Sequence, residues 1–228
     1  ASFITSLSPD IVNLHWLGSG FLPPASIARL ARKHSLVWTL HDMRAFTGGC
    51  HYSEGCRNFE ESCGNCPQVL RPRQKDASNY NWRVKHRHFQ QSNFTIVTPS
   101  VWLAKEAEQS SLFDGKRVDV IPYGLDLQLF RNHNKSESRK LLGLPTEKNL
   151  ILFGALNSTG NERKGFDLLQ KALFQFSQTD AASENCYLLI LGTDANYDSL
   201  NLPLPGVCLK SVKEDARISQ IYAAADVF

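Results

Sequence analysis

Methionine is almost missing from the 228-residue sequence: Met43 is the only one, and residue 1 is Ala. Long hydrophobic runs are missing too. The longest apolar stretches, such as Leu150–Phe153 and Tyr187–Leu191, fall far short of the ~20 residues that span a bilayer, which excludes a membrane-crossing helix. No basic segment followed by an apolar one opens the chain, so no secretion signal is read and a reducing, cytoplasmic compartment is expected. Neither sign of charge dominates. The 25 basic and 22 acidic residues leave a net charge of +3, too little to imply nucleic acid by itself. No G-x-G-x-x-G follows a strand pattern, which argues against a dinucleotide-dependent oxidoreductase. No pair of carboxylates stands out of the kind a glycosidase uses.

What is present is an ordinary globular balance of 42% hydrophobic and 21% charged residues, which rules out disorder, collagen and coiled coil. At roughly 150 residues per domain the length corresponds to about one and a half domains. Short apolar runs alternate with helical patterns, the signature of a parallel α/β architecture. Strands are predicted at 11–16, 36–40, 94–98, 118–121, 150–153, 187–191 and 207–209. Helices follow from Pro23-Pro24, Tyr80, Val101, Phe166 and Ile218. The stripe Phe166, Leu169, Leu173 and Phe176, and the set Ile218, Ile221, Tyr222 and Ala225, each predict one buried helix face. The chain crosses between domains near Tyr123–Phe130, giving an amino-terminal domain of 1–124 with an irregular insertion at 43–78 and a second domain of 125–228. The last residues, Ala225-Asp226-Val227-Phe228, read as a strand just beginning. A chain cut at both ends is therefore expected.

The insertion holds Cys50, Cys56, Cys63 and Cys66 within 17 residues. A Cys-x-x-Cys pair lets two thiolates bind one metal from a tight turn, and Gly64 suits that turn. A structural zinc site of these four cysteines is expected, with His51 able to replace one thiolate; disulfides or free thiols are the alternatives. Four protein ligands would close such a site to water, making it structural. Cys-Gly-Asn-Cys also has a redox reading, but Pro67 follows it and no strand leads in. Cys186 and Cys208 fall in or beside strands and are expected to pack in the core.

Two strand ends carry chemistry. Gly154-Ala155-Leu156-Asn157 follows one strand, and Arg163-Lys164-Gly165 opens the next helix. Cations and free N–H groups at a helix start beside a strand's carboxyl end are where α/β sheets hold phosphate. The plainer reading is a solvated helix start. His41-Asp42 closes the strand at 36–40, where a lone His is more often packed or hydrogen-bonded. In a two-domain arrangement His41 is expected to face the Arg163/Lys164 site. His15 has the same strand-end position, but Trp16 beside it favours core packing. Residues 71–88 carry six Lys/Arg and two His against one acid, with Tyr80 and Trp82 interleaved. A solvated face is the plain reading; an anionic lipid or nucleic-acid surface is the functional one. A zinc-knuckle nucleic-acid binder built on 50–88 is thus the alternative function.

These motifs together resemble a known family. Leu40-His41-Asp42-Met43, Thr47-Gly48-Gly49-Cys50-His51-Tyr52, Cys63-Gly64-Asn65-Cys66-Pro67, Thr98-Pro99-Ser100-Val101-Trp102 and Val120-Ile121-Pro122-Tyr123-Gly124-Leu125-Asp126 are similar to one branch of the family 4 glycosyltransferases. So are Arg163-Lys164-Gly165-Phe166-Asp167-Leu168-Leu169 and Tyr222-Ala223-Ala224-Ala225-Asp226-Val227-Phe228. The resemblance implies two facing Rossmann-like domains (the GT-B fold), both incomplete in this chain. It implies retaining transfer of a sugar from a UDP- or GDP-sugar, with no catalytic metal, to a glycan or lipid-linked acceptor in polysaccharide synthesis of the colanic-acid type. Contact with the inner face of the membrane goes with that role, and nucleic acid is not an expected partner. By the same resemblance, Gly154, Arg163 and Lys164 would meet the donor diphosphate, Gly192 and Val212 would lie near the base, and His41 would stand near the transferred sugar. Two features depart from the family pattern. Ala155 replaces the usual Arg after Gly154, and the E-x7-E motif that should follow Phe228 is absent, so this chain is expected not to catalyse transfer by itself.

Overall fold

The computed structural model describes residues 2–17, 20–154, 162–179 and 184–228. Two compact units divide it, residues 1–124 and 125–228.

Unit 1 contains a four-stranded parallel sheet: β1 (Ile11–Leu14), β2 (Ser35–Thr39), β3 (Thr95–Thr98) and β4 (Val118–Val120), paired in that order. The helices are α1 (Ser2–Ser6), α2 (Pro24–Lys33), α3 (Ala77–Phe89) and α4 (Val101–Glu108). Pro24 at the first turn of α2 and the Ser100 side chain capping Leu103 N–H in α4 mark the helix starts by their usual chemistry. Asp76 does the same for α3, accepting from the N–H groups of Ser78 and Asn79; α3 therefore begins three residues before the predicted Tyr80. The core is aromatic. Trp38, Phe89, Phe94 and Phe113 meet edge-on or tilted with centroids 5.6–6.3 Å apart, the geometry that aligns ring edges with ring faces.

Unit 2 repeats the parallel design with β5 (Asn149–Gly154), β6 (Cys186–Leu191) and β7 (Gly206–Leu209), and with α5 (Lys135–Leu142), α6 (Phe166–Thr179) and α7 (Asp215–Ala224). Its core is aliphatic. Leu150, Leu152, Leu189, Ile221 and Ala224 pack on one face of the sheet; Leu173, Leu188 and Leu204 pack on the other, with Cys186. The stripe on α6 is buried as expected at Phe166 and Leu173. On α7 the buried positions are Ile221 and Ala224, while Tyr222 is 42% exposed, so the predicted face is rotated. Val227 forms a parallel bridge with Ile151 on the free side of β5. Asp226 secures that junction: one carboxylate oxygen accepts from Leu150 N–H and from Arg139, the other from Lys135. Arg139 is buried and also donates to the carbonyls of Thr146, Lys148 and Ala224. Among the described residues no helix is long and apolar enough to cross a membrane.

Candidate functional site

In a parallel sheet all carboxyl ends emerge at one edge, so the residues just after β1, β2 and β4 gather there without any sequence proximity. His15 follows β1, His41 follows β2, and Tyr123 lies three residues beyond β4. Leu40 N–H bonds to Val97 and Ile121 N–H to Thr98, which extends the ladders and fixes where these rings stand. His41 Nδ1 lies 2.5 Å from the Tyr123 hydroxyl, and His41 Nε2 lies 3.1 Å from His15 Nδ1. The three rings are also stacked, at 5.3 and 5.6 Å between centroids. His15 is exposed rather than packed in the core; the indole of Trp38 takes the backbone carbonyl of His15 instead.

A second polar cluster adjoins the first. Asp42 accepts from Arg44 N–H on one oxygen, and from Trp16 Nε1 and His51 Nδ1 on the other, at 3.0 and 2.7 Å. Arg44 stands 3.3 Å from His51 Nε2. Since a guanidinium only donates, Nε2 accepts and Nδ1 carries the proton toward Asp42. His51 is thereby committed to Asp42 and does not substitute for a thiolate.

Beneath these groups Lys85 reaches from α3 into the turn at 44–47, donating to the carbonyls of Arg44 and Thr47. Burial, and then the nearby Arg44 charge, push its pKa down to about 8. The basic stretch is therefore not uniformly solvated: Lys85 and the buried Trp82 turn inward, while Arg71, Arg73, Lys75, Arg83 and Arg87 are exposed. Together His15, Trp16, His41, Asp42, Arg44 and Lys85 border a cavity of about 380 Å³ within unit 1.

The expected zinc site finds no support among the described residues. Cys50, Cys56, Cys63 and Cys66 are free thiols around one small cavity of about 20 Å³. Yet among the described residues no three His, Cys, Asp or Glu side chains converge in a way that could hold a metal ion. Burial pushes the Cys63 thiol up to about 11 and also raises Cys50. Cys63 Sγ accepts from Gly48 N–H at 3.2 Å. The loop is held by packing instead. A Cβ on Gly48 would meet the Ser78 carbonyl oxygen at 2.4 Å, and one on Gly64, at φ +112°, would meet that of Gln74 at 2.4 Å. The zinc-knuckle nucleic-acid reading is likewise unsupported among the described residues.

In unit 2 the sheet register sets Gly154 beside Leu191 and Leu191 beside Leu209. Gly154 and Gly192 thus emerge at one carboxyl edge, and Val212 packs partly on the core just past β7. Gly192, at φ +91°, donates its N–H to the Leu209 carbonyl. Arg163 and Lys164 occupy a short 3-10 turn and are exposed; Gly165, at φ +75°, then turns the chain into α6. Because α6 follows β5 in the parallel layout, its start lies at that same edge. Ala155, Leu156 and Asn157 lie outside the described residues.

No family model matches the chain. Over 131 residues it is 28% identical to a protein of Escherichia coli named as a colanic acid biosynthesis glycosyl transferase, WcaC, covering 52% of this chain and 32% of that one. A glycosyltransferase of Rickettsia africae aligns over 99% of this chain with a TM-score of 0.60 at 14% identity. The Anabaena protein HepE, solved in complex with UDP-glucose, aligns over 99% with a TM-score of 0.55 at 18% identity. The chain spans 52% and 54% of those two structures. Both units have the GT-B-like Rossmann build of these structural relatives.

The sequence pattern marks His41, Arg163 and Lys164; the structure adds Tyr123, the outward His15, the Asp42–His51 pair and the inward Lys85. One signal was available: His15 lies at the end of a predicted strand, His41 directly after one and Tyr123 two residues after another.

Proposed function

We propose that the chain forms the acceptor-side unit and part of the donor-side unit of a retaining glycosyltransferase acting in polysaccharide synthesis. The observation that carries this reading is the carboxyl edge of unit 2. There two glycines leave room at strand ends, and Arg163 and Lys164 precede a helix start whose free N–H groups favour a diphosphate. The similarity to the colanic acid protein supports the same class. UDP-sugars are the first donor candidates because HepE binds UDP-glucose.

In this reaction the bond from the sugar's anomeric carbon to phosphate breaks while the acceptor oxygen bonds to that carbon. The acceptor's proton passes to the departing phosphate. Lys164 offsets the charge growing on the leaving nucleotide. Gly192 and Val212 border the base, and His41 stands by the transferred sugar. The acceptor enters the cavity of unit 1. Exposed Leu70, among Arg71, Arg73 and Lys75, gives that unit a contact for an anionic membrane surface carrying a lipid-linked acceptor.

Calorimetric titration of the chain with UDP-glucose and GDP-mannose tests the assignment. Lys164→Ala is expected to weaken binding by about 10- to 100-fold, the worth of a charge-assisted phosphate contact. Equal affinity in that variant would remove Lys164 from the donor site. No binding of any nucleotide sugar by the unaltered chain would defeat the functional reading.

A further inference from the structure

Among the described residues bordering the unit 1 cavity, Asp42 is the one acid, and Arg44 and Lys85 are the two Lys/Arg side chains. The acid is already taken. Its two oxygens accept from Arg44 N–H, Trp16 Nε1 and His51 Nδ1. The cations are not. Lys85 Nζ donates to the carbonyls of Arg44 and Thr47 at 2.5 and 2.9 Å, which uses two of the three N–H groups of an ammonium. Arg44 directs one of its five N–H groups to His51 Nε2. Among the described residues the ion pairs belong to other side chains, and none joins Arg44 or Lys85 to a carboxylate. Both cations are half-buried, and they stand close enough for the Arg44 charge to oppose that of Lys85. Two like charges partly withdrawn from water repel, and an anionic oxygen group shared between them would relieve that repulsion and take their spare donors. Asn81 borders the same cavity one helical turn before Lys85 on α3, so its amide lies on the same helix face.

We propose that Arg44 and Lys85 form an anion-binding wall in the unit 1 cavity, which holds a carboxylate or phosphate group carried by the molecule that enters there. The acceptor of unit 1 is then a charged glycan, anionic on its sugar or at the linkage next to it. Arg44 brings a planar fork and Lys85 a point charge, a combination suited to an anion with two or three oxygens. They serve the charged group alone; an uncharged ring needs neither. That the ligand is the acceptor rests on the glycosyl-transfer reading; the anion site itself does not.

Backbone amide spectra of the 228-residue chain, titrated with D-glucuronate, α-D-glucose 1-phosphate and methyl α-D-glucopyranoside, test it. At least one of the two anions is expected to shift the amides of Arg44, Ala45, Gly49 and Lys85, and to bind about ten-fold more tightly than the neutral glycoside, the least that one charge-assisted hydrogen bond is worth. Response to glucuronate alone assigns a carboxylate on the acceptor sugar; response to the sugar phosphate alone assigns a phosphate at its linkage. Arg44→Gln, which keeps an amide N–H toward His51, should weaken that anion by about 10- to 100-fold and leave the neutral glycoside unchanged. Lys85→Gln keeps N–H groups for the two carbonyls and should act in the same direction, so a folding failure in either variant leaves the other to decide. Equal affinity for anions and neutral glycoside, anion-induced shifts confined to unit 2, or unaltered anion binding by the folded variants overturns the proposal. The probes carry no nucleotide, so their failure leaves the UDP-glucose titration standing. Anion binding at Arg44 in a chain that binds no nucleotide sugar would keep this site and remove the transferase reading.

Discussion

Two units with the same parallel βαβ layout use their polar groups differently. Unit 1 closes its core with interlocking aromatic rings and lines up hydrogen-bonded side chains at the carboxyl edge: Tyr123, His41 and His15, then Trp16, Asp42, His51 and Arg44. Unit 2 closes with aliphatic side chains. Among its described residues a dense polar cluster, Arg139 with Asp226, lies among the secondary-structure elements and ties α5, β5 and the segment after α7 together. The cations at its own carboxyl edge, Arg163 and Lys164, are exposed. A site for an uncharged sugar needs hydrogen bonds fixed in advance, because each one is individually weak. A diphosphate brings its own charge, and backbone N–H groups with exposed cations would suit it.

Breaking each closure is the largest test of that contrast. Phe89→Ala, emptying a fully buried ring position in unit 1, is expected to cost about 3–5 kcal/mol. Arg139→Ala, leaving a carboxylate and three carbonyls without their donor, is expected to cost a similar ~3–5 kcal/mol in unit 2. All four tryptophans lie in residues 1–124, so tryptophan fluorescence in urea follows the first variant, and amide exchange along β5 and β6 the second. An Arg139→Ala chain with unchanged exchange there would show that unit 2 is held by its aliphatic core alone.

Asp226→Asn is the milder cut, expected to cost about 1.5–3 kcal/mol through weakened charge-assisted bonds. Burial opposes ionisation of Asp226, but Lys135, Leu150 N–H and Arg139 outweigh it and hold its pKa below the ordinary value. Its contribution is therefore full above the ordinary carboxylate pKa and is lost as pH falls through the depressed folded one. The gap between Asp226→Asn and the unaltered chain should close in acid.

Asp76 gives the matching test in unit 1. Burial works against its charge, yet Ser78 and the N–H groups of Cys66, Asn79 and Arg73 bring its pKa down to about 2. Asp76→Ala is expected to cost about 1 kcal/mol at neutral pH, the worth of a helix cap. That difference should shrink as pH falls from about 4, the unfolded value, toward the folded one. A pH-independent difference would mean that Asp76 acts by packing.

The smallest effect concerns the surface. The ion pairs described in unit 1 involve His51, Arg57 and Arg117, leaving Arg71, Arg73, Lys75, Arg83 and Arg87 outside them. Replacing Arg71 or Arg73 by Gln should weaken co-sedimentation with phosphatidylserine vesicles by about 1 kcal/mol per charge. Unchanged binding would remove the membrane surface from the account.

Much of the architecture was legible because parallel strands read as apolar runs and helices as stripes. The buried Phe166 and Leu173 were found that way. Tyr222 was misassigned because an i, i+4 match does not say how a helix is rotated on its sheet. His41 stood out at a strand end, but its partners come from 26 residues before and 82 after it, and only the sheet order joins them. Trp16 argued for burial of His15, yet its indole N–H goes to Asp42 at the surface. The cysteine spacing brought the four thiols round one small cavity, but spacing carries no information on whether their sulfurs stand as ligands of one ion. Lys85 was hidden inside a basic run because charge counts do not distinguish a solvated lysine from one reaching into a turn.

The division of labour itself is tested most directly by following backbone amides of the chain as UDP-glucose is added. Shifts are expected to concentrate at Gly154, Lys164, Gly165 and Gly192 in unit 2 and to be much reduced by Lys164→Ala. Shifts confined to His15, His41 and Tyr123 in unit 1, or none at the carboxyl edge of unit 2, would contradict it.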